Sequence, residues 1–344
     1  MKAVRLHHYG EQPRLEDVPE PSISQPLDVI VEVGGAGLCE TDLQVIQGQW
    51  GARTDPVLPL TLGHENAGWV REVGTAVENV QAGDPVIVHP LTTCGFCRPC
   101  RAGDEAHCER AAFTGVDFDG GMAELLLTSA RSLVKLRPLL QPAEVATLAD
   151  DGLAAYHTVR AALPLLYPGT CAVVLGAGRL GRVGLQCLLA LSPAEVVVVD
   201  LSDRDLGVAA GLGAHHTVRA GRGQVQAVRD LTSGAGADVV LDFAERPGAE
   251  ADRIAMVRRA GSYFVVGSGA NMDIPAVDVI ASEINVVGKF SGSHGDLADL
   301  VTLAAQHQIK LETSTYDLDS VAEVISDLAN GRLRSWGVLT PTPG

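Results

Sequence analysis

Residues 173–181 read VVLGAGRLG and place three glycines in the spacing G-x-G-x-x-G. The run CAVVLGAG predicts a strand, and RLGRVGLQCLLAL predicts the helix that follows it. A second apolar run, EVVVVD, ends at Asp200, nineteen residues after Gly181. Glycines are common, so the spacing alone is weak evidence and an ordinary tight turn is the alternative. The strand before, the helix after and the acidic residue beyond are the context that a dinucleotide-binding motif requires.

Each position of this motif has a task in dinucleotide binding. Gly176 permits the tight turn, Gly178 lets backbone N–H groups approach a pyrophosphate, and Gly181 lets helix and strand pack closely. The phosphates then lie at a helix N-terminus, where the dipole favours negative charge. Asp200 repels a 2′-phosphate, so NAD is favoured over NADP, although Arg204 could accommodate that phosphate. The predicted cofactor contacts are Gly176, Gly178, Arg179, Leu180, Gly181, Asp200, Leu201, Arg204, Phe243 and Val266.

The periodicity of the chain changes near residue 150. Runs such as DVIVEV and MAELLLTS in the first 140 residues predict short strands separated by turns rich in Gly, Pro and Asp. From Thr170 onward, apolar strands alternate with helices, which predicts a parallel sheet covered on both faces. The predicted fold class is α/β, with a β-rich domain at 1–149, a doubly wound domain at 150–286 and a C-terminal segment at 287–344 that we expect to return to the first domain.

Composition limits the classes of function. The chain has 344 residues, 46% of them apolar, which is enough for two domains with buried cores. A net charge of −16 argues against nucleic acid or an anionic membrane as the main partner. No apolar run reaches about 18 residues, and the N-terminus becomes polar too early for a signal peptide. We therefore expect a cytoplasmic protein whose seven cysteines are thiols rather than disulfides.

Four of the cysteines fall within the fifteen-residue run CGFCRPCRAGDEAHC. Cys94, Cys97, Cys100 and Cys108 have the spacing C-x2-C-x2-C-x7-C, and four thiolates satisfy tetrahedral Zn²⁺ without leaving a position for water. We predict a structural zinc lobe at about 90–112, with His107 as a solvated loop residue. An iron–sulfur cluster is the alternative, although its usual run ends with a three-residue spacing and a proline.

Cys39 lies outside that cluster, in the stretch LCETDLQVIQGQW, and two distant segments offer it partners for a metal. LGHENAG carries His64 and Glu65, and ADDGLAAYH carries Asp150 and Asp151 in an apolar helical pattern where an unpaired carboxylate is costly. A cysteine, a histidine and a carboxylate with one open position form a ligand pattern of catalytic zinc. Spacing alone does not bring these distant segments together.

Taken together, the motifs resemble those of the zinc-dependent medium-chain alcohol dehydrogenases over nearly the whole chain. The matching stretches, in the family's order, are GLCETDL, LGHENAGWV, GDPVIV, the four-cysteine run, DGGMAELLL, ADDGLAAYHTV, VVLGAGRLG and VVVVD. The resemblance implies a GroES-like catalytic domain, a Rossmann domain, NAD as cofactor and two zinc ions per chain. It also implies a homo-oligomer, with a tetramer favoured over a dimer.

The resemblance assigns the catalytic zinc to Cys39, His64 and Asp150. Many relatives have cysteine at the third position, in a run like C-A-G-x-T-x-Y. Alignment of ADDGLAAYH with that run places Asp150 there and makes Asp151 a polar, partly solvated neighbour. Zinc would polarise the substrate oxygen while hydride passes between the substrate and the nicotinamide.

Three residues beside this zinc also receive roles from the resemblance. Thr41 matches the hydroxyl that hydrogen-bonds the reacting oxygen. Asp42 would orient the ring of His64 by accepting its second N–H, and capping of a turn is the alternative. Glu65 would lie near the zinc and replace water transiently, or else pair with an arginine beneath the metal.

Two positions depart from the family pattern. Many relatives have histidine five residues after the zinc cysteine, at the outer end of a proton relay, whereas this chain has Gln44, which does not titrate near pH 7. We therefore predict a relay from Thr41 through the cofactor ribose to solvent. The last strand reads SWGVL, so Trp336 stands where many relatives have an arginine that approaches the pyrophosphate, and Arg334 is the candidate substitute.

The stretches that border the substrate cleft in this family contain Trp50 and Phe113, which predict an aromatic wall for aryl or medium alkyl groups, with core packing as the alternative. The leading hypothesis is a reversible NAD-dependent dehydrogenase of primary or secondary alcohols and the matching aldehydes or ketones. The alternatives are a polyol or amino-alcohol dehydrogenase, and a non-catalytic protein that binds NAD and zinc on this fold. Cys171 and Cys187 are predicted to be buried, inert thiols.

Overall fold

The computed structural model describes residues 1–54, 56–244, 250–266, 274–333 and 335–341. The chain forms two compact units, of which the first combines Met1–Leu153 with Gly292–Gly344 and the second is Ala154–Ser291. Among the helices within the described ranges, none is long and apolar enough to cross a membrane.

Short strands dominate the N-terminal part of the first unit, because its apolar runs alternate with polar residues and end at turns. The strands are β1 Lys2–Leu6, β2 Arg14–Asp17, β3 Asp28–Gly37, β4 Leu60–Thr61, β5 Glu65–Val73, β6 Pro85–Val88, β7 Leu91–Thr92, β8 Ala112–Phe113, β9 Leu125–Ser129 and β10 Leu133–Lys135. The helices are α1 Glu40–Ile46, α2 Gly51–Thr54, α3 Arg98–Arg101 and α4 Pro142–Val145, with 3₁₀ turns at Glu105–His107, Ala130–Ser132 and Ala146–Ala149.

The main sheet of this unit brings two of the predicted metal-binding segments together. Its antiparallel strands include the order β10-β6-β5-β3, and β9 also pairs with β3. The register of β3 and β5 runs from Val29↔Val73 to Gly37↔Glu65. The end of β3, which leads into Cys39, therefore lies beside the start of β5, which directly follows His64.

The second unit is a doubly wound sheet, as the alternating apolar runs predict. Its six strands have the order β13-β12-β11-β14-β15-β16 and pair in parallel, so the first strand lies in the middle and the winding reverses beside it. α5 Asp151–Ala162 begins in the first unit and continues into the second. The other elements of the second unit are β11 Cys171–Leu175, α6 Arg179–Leu191, β12 Glu195–Asp200, α7 Asp203–Gly211, β13 His216–Arg219, α8 Gln224–Leu231, β14 Ala237–Asp242, α9 Glu250–Ala255, β15 Val257–Val265, α10 Ala276–Ser282 and β16 Asn285–Gly288, with a 3₁₀ turn at Leu163–Leu165.

The C-terminal segment returns to the sheet of the first unit. It contains α11 His294–Ala305, β17 Thr313–Asp317, a 3₁₀ turn at Leu318–Ser320, α12 Val321–Ala329 and β18 Trp336–Thr340. β18 pairs antiparallel with β3, at Val338↔Gly37 and Leu339↔Ala36, and parallel with β17. The sequence predicts both helices and β18, but not β17, whose residues TSTYD include few apolar side chains and are not fully buried.

The helical pattern that begins at Pro142 is interrupted next to a predicted metal ligand. A 3₁₀ turn separates α4 from α5, and Asp150 between them has φ −128° and ψ −66°. Hydrophobic spacing predicts helix throughout this run because a short 3₁₀ turn leaves the apolar pattern nearly unchanged. Asp150 therefore lies in the break, and Asp151 is the first residue of α5.

Candidate functional site

Cys39 is held in place as the N-cap residue of α1. Its Sγ accepts a hydrogen bond from the backbone N–H of Thr41 at 3.2 Å, and its own N–H donates to Asp42 Oδ2 at 3.0 Å. This reciprocal arrangement is a capping box in which a thiol replaces the usual hydroxyl. The run C-E-T-D therefore fixes the orientation of a buried sulfur atom independently of a metal.

His64 lies at the centre of the predicted catalytic site and is fully buried. Its Nε2 is 3.0 Å from Cys39 Sγ and 3.5 Å from Asp150 Oδ2, while its Nδ1 is 3.4 Å from Asp42 Oδ1. The preceding Gly63 has φ +103°, and a Cβ there would lie 2.6 Å from the backbone N of Met122. The glycine before the histidine is thus required for the close approach of two backbone segments.

These atoms fit a zinc ion. The three ligand atoms of Cys39, His64 and Asp150 lie within 4.8 Å of one another. Zn–S and Zn–N bonds of about 2.3 and 2.0 Å put adjacent ligand atoms roughly 3.5 Å apart on a tetrahedral ion. Asp42 caps α1 through Oδ2, as the alternative role predicts, while its Oδ1 faces the second ring nitrogen of His64 without a hydrogen bond. Orientation of the His64 ring by Asp42 stays a prediction.

The electrostatics of the pocket also suit a cation. Burial raises the pKa of the Cys39 thiol, although the neighbouring His64 opposes the shift. Burial alone would lower the pKa of His64, but Cys39 and Asp42 outweigh it and raise that pKa well above its usual value. The imidazole of His64 is thus surrounded by Cys39, Asp42 and Asp150, which are all anionic when deprotonated and would attract a cation.

Behind the ligands, Glu65 and Asp151 are buried side by side. Glu65 Oε1 accepts the backbone N–H of Asp151 at 2.9 Å, and burial together with Asp151 raises the pKa of Glu65. Within the described residues, no arginine pairs with Glu65, so that alternative receives no support here.

The prediction of a partly solvated Asp151 is wrong. The residue is only 6% exposed, and its Oδ2 accepts the indole N–H of Trp336 at 3.3 Å. The prediction failed because a helical pattern does not show which strand covers the start of the helix. Arg334, the candidate substitute for the missing arginine, lies outside the described residues.

The aromatic residues form a chain of contacts that ends at His64. Gln44 Oε1 accepts the indole N–H of Trp50 at 3.1 Å. The ring of Trp50 meets Phe113 edge to face at a centroid distance of 6.3 Å, and Phe113 meets His64 in the same way at 5.5 Å. The sequence predicts both aromatic positions but gives no sign that Gln44 holds Trp50.

The four-cysteine lobe forms a second metal-binding group. Its sulfur atoms also lie within 4.8 Å of one another, and their chemistry fits zinc without an open position. Backbone N–H groups of Phe96 and Cys97 lower the pKa of Cys94 to about 5, which favours the thiolate that a metal needs. His107 is an exposed loop residue that contacts Asp104 at 2.9 Å.

The glycine motif lies between β11 and α6 in the second unit. Gly176 has φ +89°, and a Cβ on Gly181 would lie 1.8 Å from the carbonyl oxygen of Gly176, so both positions require glycine. Asp200 ends β12, and its Oδ2 accepts the backbone N–H of Ala177 at 2.7 Å. Arg179 and Leu180 begin α6, and Leu201 and Arg204 are exposed beyond β12.

Two further side chains shape this unit near the motif. The ring of Phe243 is buried against Gly184 of α6, which favours a packing role for it, and Val266 directly follows β15. Arg182, which no sequence motif singles out, donates through Nε to the carbonyl of Ala177 at 3.0 Å and pairs with Asp205 at 2.7 Å. An arginine on the apolar side of a predicted helix is the signal that could have revealed it.

Comparisons with known proteins agree with this geometry. The family model "Alcohol dehydrogenase GroES-like domain" matches residues 25–138, and the family model "Zinc-binding dehydrogenase" matches residues 179–306. The NAD-dependent alcohol dehydrogenase of Sulfurisphaera tokodaii is 33% identical over 99% of this chain and 100% of the relative. The D-arabinose 1-dehydrogenase (NADP(+)) of Saccharolobus solfataricus is also 33% identical, over 99% of this chain and 97% of the relative.

A solved structure supports the same assignment. The crystal structure of the alcohol dehydrogenase from the archaeon Aeropyrum pernix superposes with a TM-score of 0.94 at 40% identity, covering 99% of this chain and all of that one. The matches confirm the predicted α/β fold class, with its GroES-like and Rossmann parts, and the predicted oxidoreductase class with zinc and NAD as cofactors. This chain therefore belongs to the zinc-binding alcohol dehydrogenases of the medium-chain dehydrogenase/reductase superfamily.

Proposed function

We propose that this enzyme transfers hydride reversibly between NAD(H) and primary or secondary alcohols, with the matching aldehydes or ketones as oxidised partners. The observation that carries the proposal is the buried group of Cys39 Sγ, His64 Nε2 and Asp150 Oδ2. Three protein ligands leave one coordination position for a substrate oxygen. Zinc held by these three residues would supply a Lewis acid for that oxygen.

Proton transfer falls to Thr41 in this proposal. Its backbone N–H donates to Cys39 Sγ, so the residue lies next to the ligand set in the first turn of α1. We assign to its hydroxyl the hydrogen bond to the reacting oxygen. Gln44 already accepts a hydrogen bond from Trp50, which supports a relay that ends in solvent rather than at this position. Transient metal coordination by Glu65 stays a prediction.

Two aromatic residues, Trp50 and Phe113, are the basis for proposing substrates with aryl or medium alkyl groups. Phe113 is nearly buried and contacts the ring of His64, whereas Trp50 is partly exposed. Edge-to-face contact holds Trp50 against Phe113, and Phe113 in turn contacts the ligand histidine. A flat apolar substituent gains more from such a wall than a small one does.

We propose that Asp200 sets the preference for NAD. The Asp200 carboxylate at the end of β12 would accept ribose hydroxyls and repel a 2′-phosphate. Exposed Arg204 lies four positions further on and could attract a 2′-phosphate. The preference for NAD over NADP therefore depends on whether repulsion by Asp200 outweighs attraction by Arg204. A second candidate substrate class is a polyol or sugar, because one relative is named a D-arabinose dehydrogenase. The apolar lining beside His64 favours the first class.

We also propose that the protein acts as a cytoplasmic homo-oligomer, with a tetramer favoured. Free cysteines at all seven positions support a reducing compartment. Apolar side chains exposed at Val277, Ile280 and Phe290 support contact with another copy.

The test is NADH absorbance with benzyl alcohol, a medium alkyl alcohol, ethanol, a polyol and the matching carbonyl compounds, with and without a chelator. We expect turnover that the chelator abolishes, with kcat/KM highest for the aryl and medium alkyl substrates. Cys39→Ala should abolish turnover, whereas the matched variant Cys171→Ala, which changes a buried thiol outside both metal-binding groups, should retain it. Bound zinc and NAD without turnover on any compound would favour a non-catalytic binding protein.

A further inference from the structure

Trp336 connects the C-terminal strand to the predicted catalytic metal site. It is the first residue of β18, is 2% exposed, and donates its indole N–H to Asp151 Oδ2 at 3.3 Å. A buried indole N–H needs an acceptor, and a buried carboxylate needs a donor, so each satisfies part of the other's requirement. The two residues are 185 positions apart in the sequence.

Asp151 transmits this contact toward the ligands through its backbone. Its N–H donates to Glu65 Oε1 at 2.9 Å, so the residue is fixed both by its side chain and by its amide. That amide group shares a rigid peptide plane with the carbonyl of Asp150. Holding Asp151 at both ends therefore fixes the backbone from which the third metal ligand extends.

Glu65 completes the connection from the opposite side. It follows His64 directly, just as Asp151 follows Asp150, so one hydrogen bond ties the residues next to two metal ligands. Glu65 is fully buried, and a Cβ on Gly37 would lie 2.2 Å from its Oε2. The absence of a side chain at Gly37 thus leaves room for this carboxylate.

The third ligand segment also contacts β18. The backbone N–H of Leu38, directly before Cys39, donates to the carbonyl of Gly337 at 2.9 Å. β18 thus touches the chain next to Cys39 through Gly337 and the chain next to Asp150 through Trp336. A single strand from the C-terminal segment supports two of the three segments that meet at the metal site.

We propose that Trp336, acting through Asp151, is a positioning residue of the Cys39–His64–Asp150 metal site, and that retention of the metal there depends on its indole N–H. The inference deepens the proposed function, since it concerns the same site. Residues that orient metal ligands typically change metal affinity or activity by about 10- to 100-fold when altered. Loss of a single hydrogen bond belongs at the lower end of that range.

The test compares Trp336→Phe, which removes the N–H but keeps an aromatic ring, with Trp69→Phe as the matched control. Trp69 lies in the same unit on β5, is 39% exposed and is in neither metal-binding group. The purified full-length protein is loaded with Zn²⁺ or Co²⁺, and release to a chelator is followed over time. Asp150→Ala identifies the kinetic phase that belongs to the catalytic site.

We expect Trp336→Phe to release that metal about tenfold faster and to change the visible absorption of the one-thiolate cobalt site. Release from the four-cysteine group should be unchanged, and Trp69→Phe should match the parent in both phases. Equal release from the two tryptophan variants, with identical cobalt spectra, would overturn the proposal. Because metal release is measured rather than turnover, this result is independent of whether any alcohol is a substrate.

A second variant covers the case in which Trp336→Phe does not fold. Asp151→Ala removes the acceptor, so it should show the same faster release, whereas Asp151→Asn keeps an acceptor oxygen and should restore most of the retention. In the double variant Trp336→Phe/Asp151→Ala, the two effects should not add, because they break one connection. Fully additive effects, or parent-like release from Asp151→Ala, would show that Trp336 acts by packing alone.

Discussion

The two metal-binding groups of the first unit are built in opposite ways. The four-cysteine group comes from one run of fifteen residues, and three of its four cysteines are partly exposed. The group of Cys39, His64 and Asp150 comes from three distant segments and centres on a fully buried imidazole. The ligands of the four-cysteine group all lie in one loop. The ligands of the buried group lie at the start of α1, directly before β5 and in the break before α5.

This difference decides what supports each ligand set. In the loop, backbone N–H groups from the next few residues contact the sulfur atoms, as at Cys94. In the buried group, side chains from remote elements hold the residues beside the ligands, as Trp336 does at Asp151. We infer that metal binding by the loop mainly contributes to the free energy of unfolding. In the buried group, residues remote in sequence can change metal affinity and activity.

The largest expected effect comes from breaking the buried group. Asp150→Ala should lower kcat/KM by at least about a thousandfold, since a Lewis acid contributes several kcal/mol and each 1.4 kcal/mol is about tenfold. Zinc content, measured by elemental analysis, should fall from two ions to one per chain. Asp104→Ala, on the exposed surface of the zinc lobe, is the matched control and should leave both quantities unchanged. Two retained zinc ions in Asp150→Ala would refute the three-ligand assignment.

Breaking the loop should affect stability more than chemistry. Cys97→Ser should remove the other zinc ion and lower the free energy of unfolding by at least about 2 kcal/mol, because metal binding there is coupled to ordering of the loop. Chemical denaturation and zinc analysis measure the two effects. The folded variant at low temperature should keep kcat within about threefold of the parent. A loss of activity in Cys97→Ser as large as that in Asp150→Ala would contradict the inference that the four-cysteine group mainly contributes to stability.

The smallest expected effect separates substrate positioning from metal binding on α1. Gln44→Leu removes the acceptor of the Trp50 indole N–H, so kcat/KM for benzyl alcohol should fall about fivefold, the value of roughly one hydrogen bond. Ethanol, which is too small to use the wall, should be oxidised at the parent rate, and zinc content should not change. Gln44→Glu keeps an acceptor and serves as the control. An equal fall in kcat/KM for benzyl alcohol and ethanol would show that Gln44 does not contribute to substrate selection.

Local patterns account for what the sequence could predict. The glycine spacing and the terminal Asp200 indicate a dinucleotide fold because that turn needs glycine at fixed offsets, and Gly176 and Gly181 meet those steric demands. Cysteine spacing indicates the loop because all its ligands belong to one short segment. The assignment of Asp150 needed a family resemblance, since nothing in the run ADDG by itself distinguishes two adjacent carboxylates.

The sequence by itself thus determined the two domain types, the closed zinc loop and the residue types available for catalysis, because each depends on near neighbours along the chain. Only the tertiary structure decided that Asp151 is buried, that Trp336 covers it, and that Gln44 holds Trp50. Burial and long-range hydrogen bonds depend on which strand or helix packs where, and hydrophobic spacing does not encode that. The β3–β5 register and the return of β18 convert separate Cys, His and Asp residues into one site.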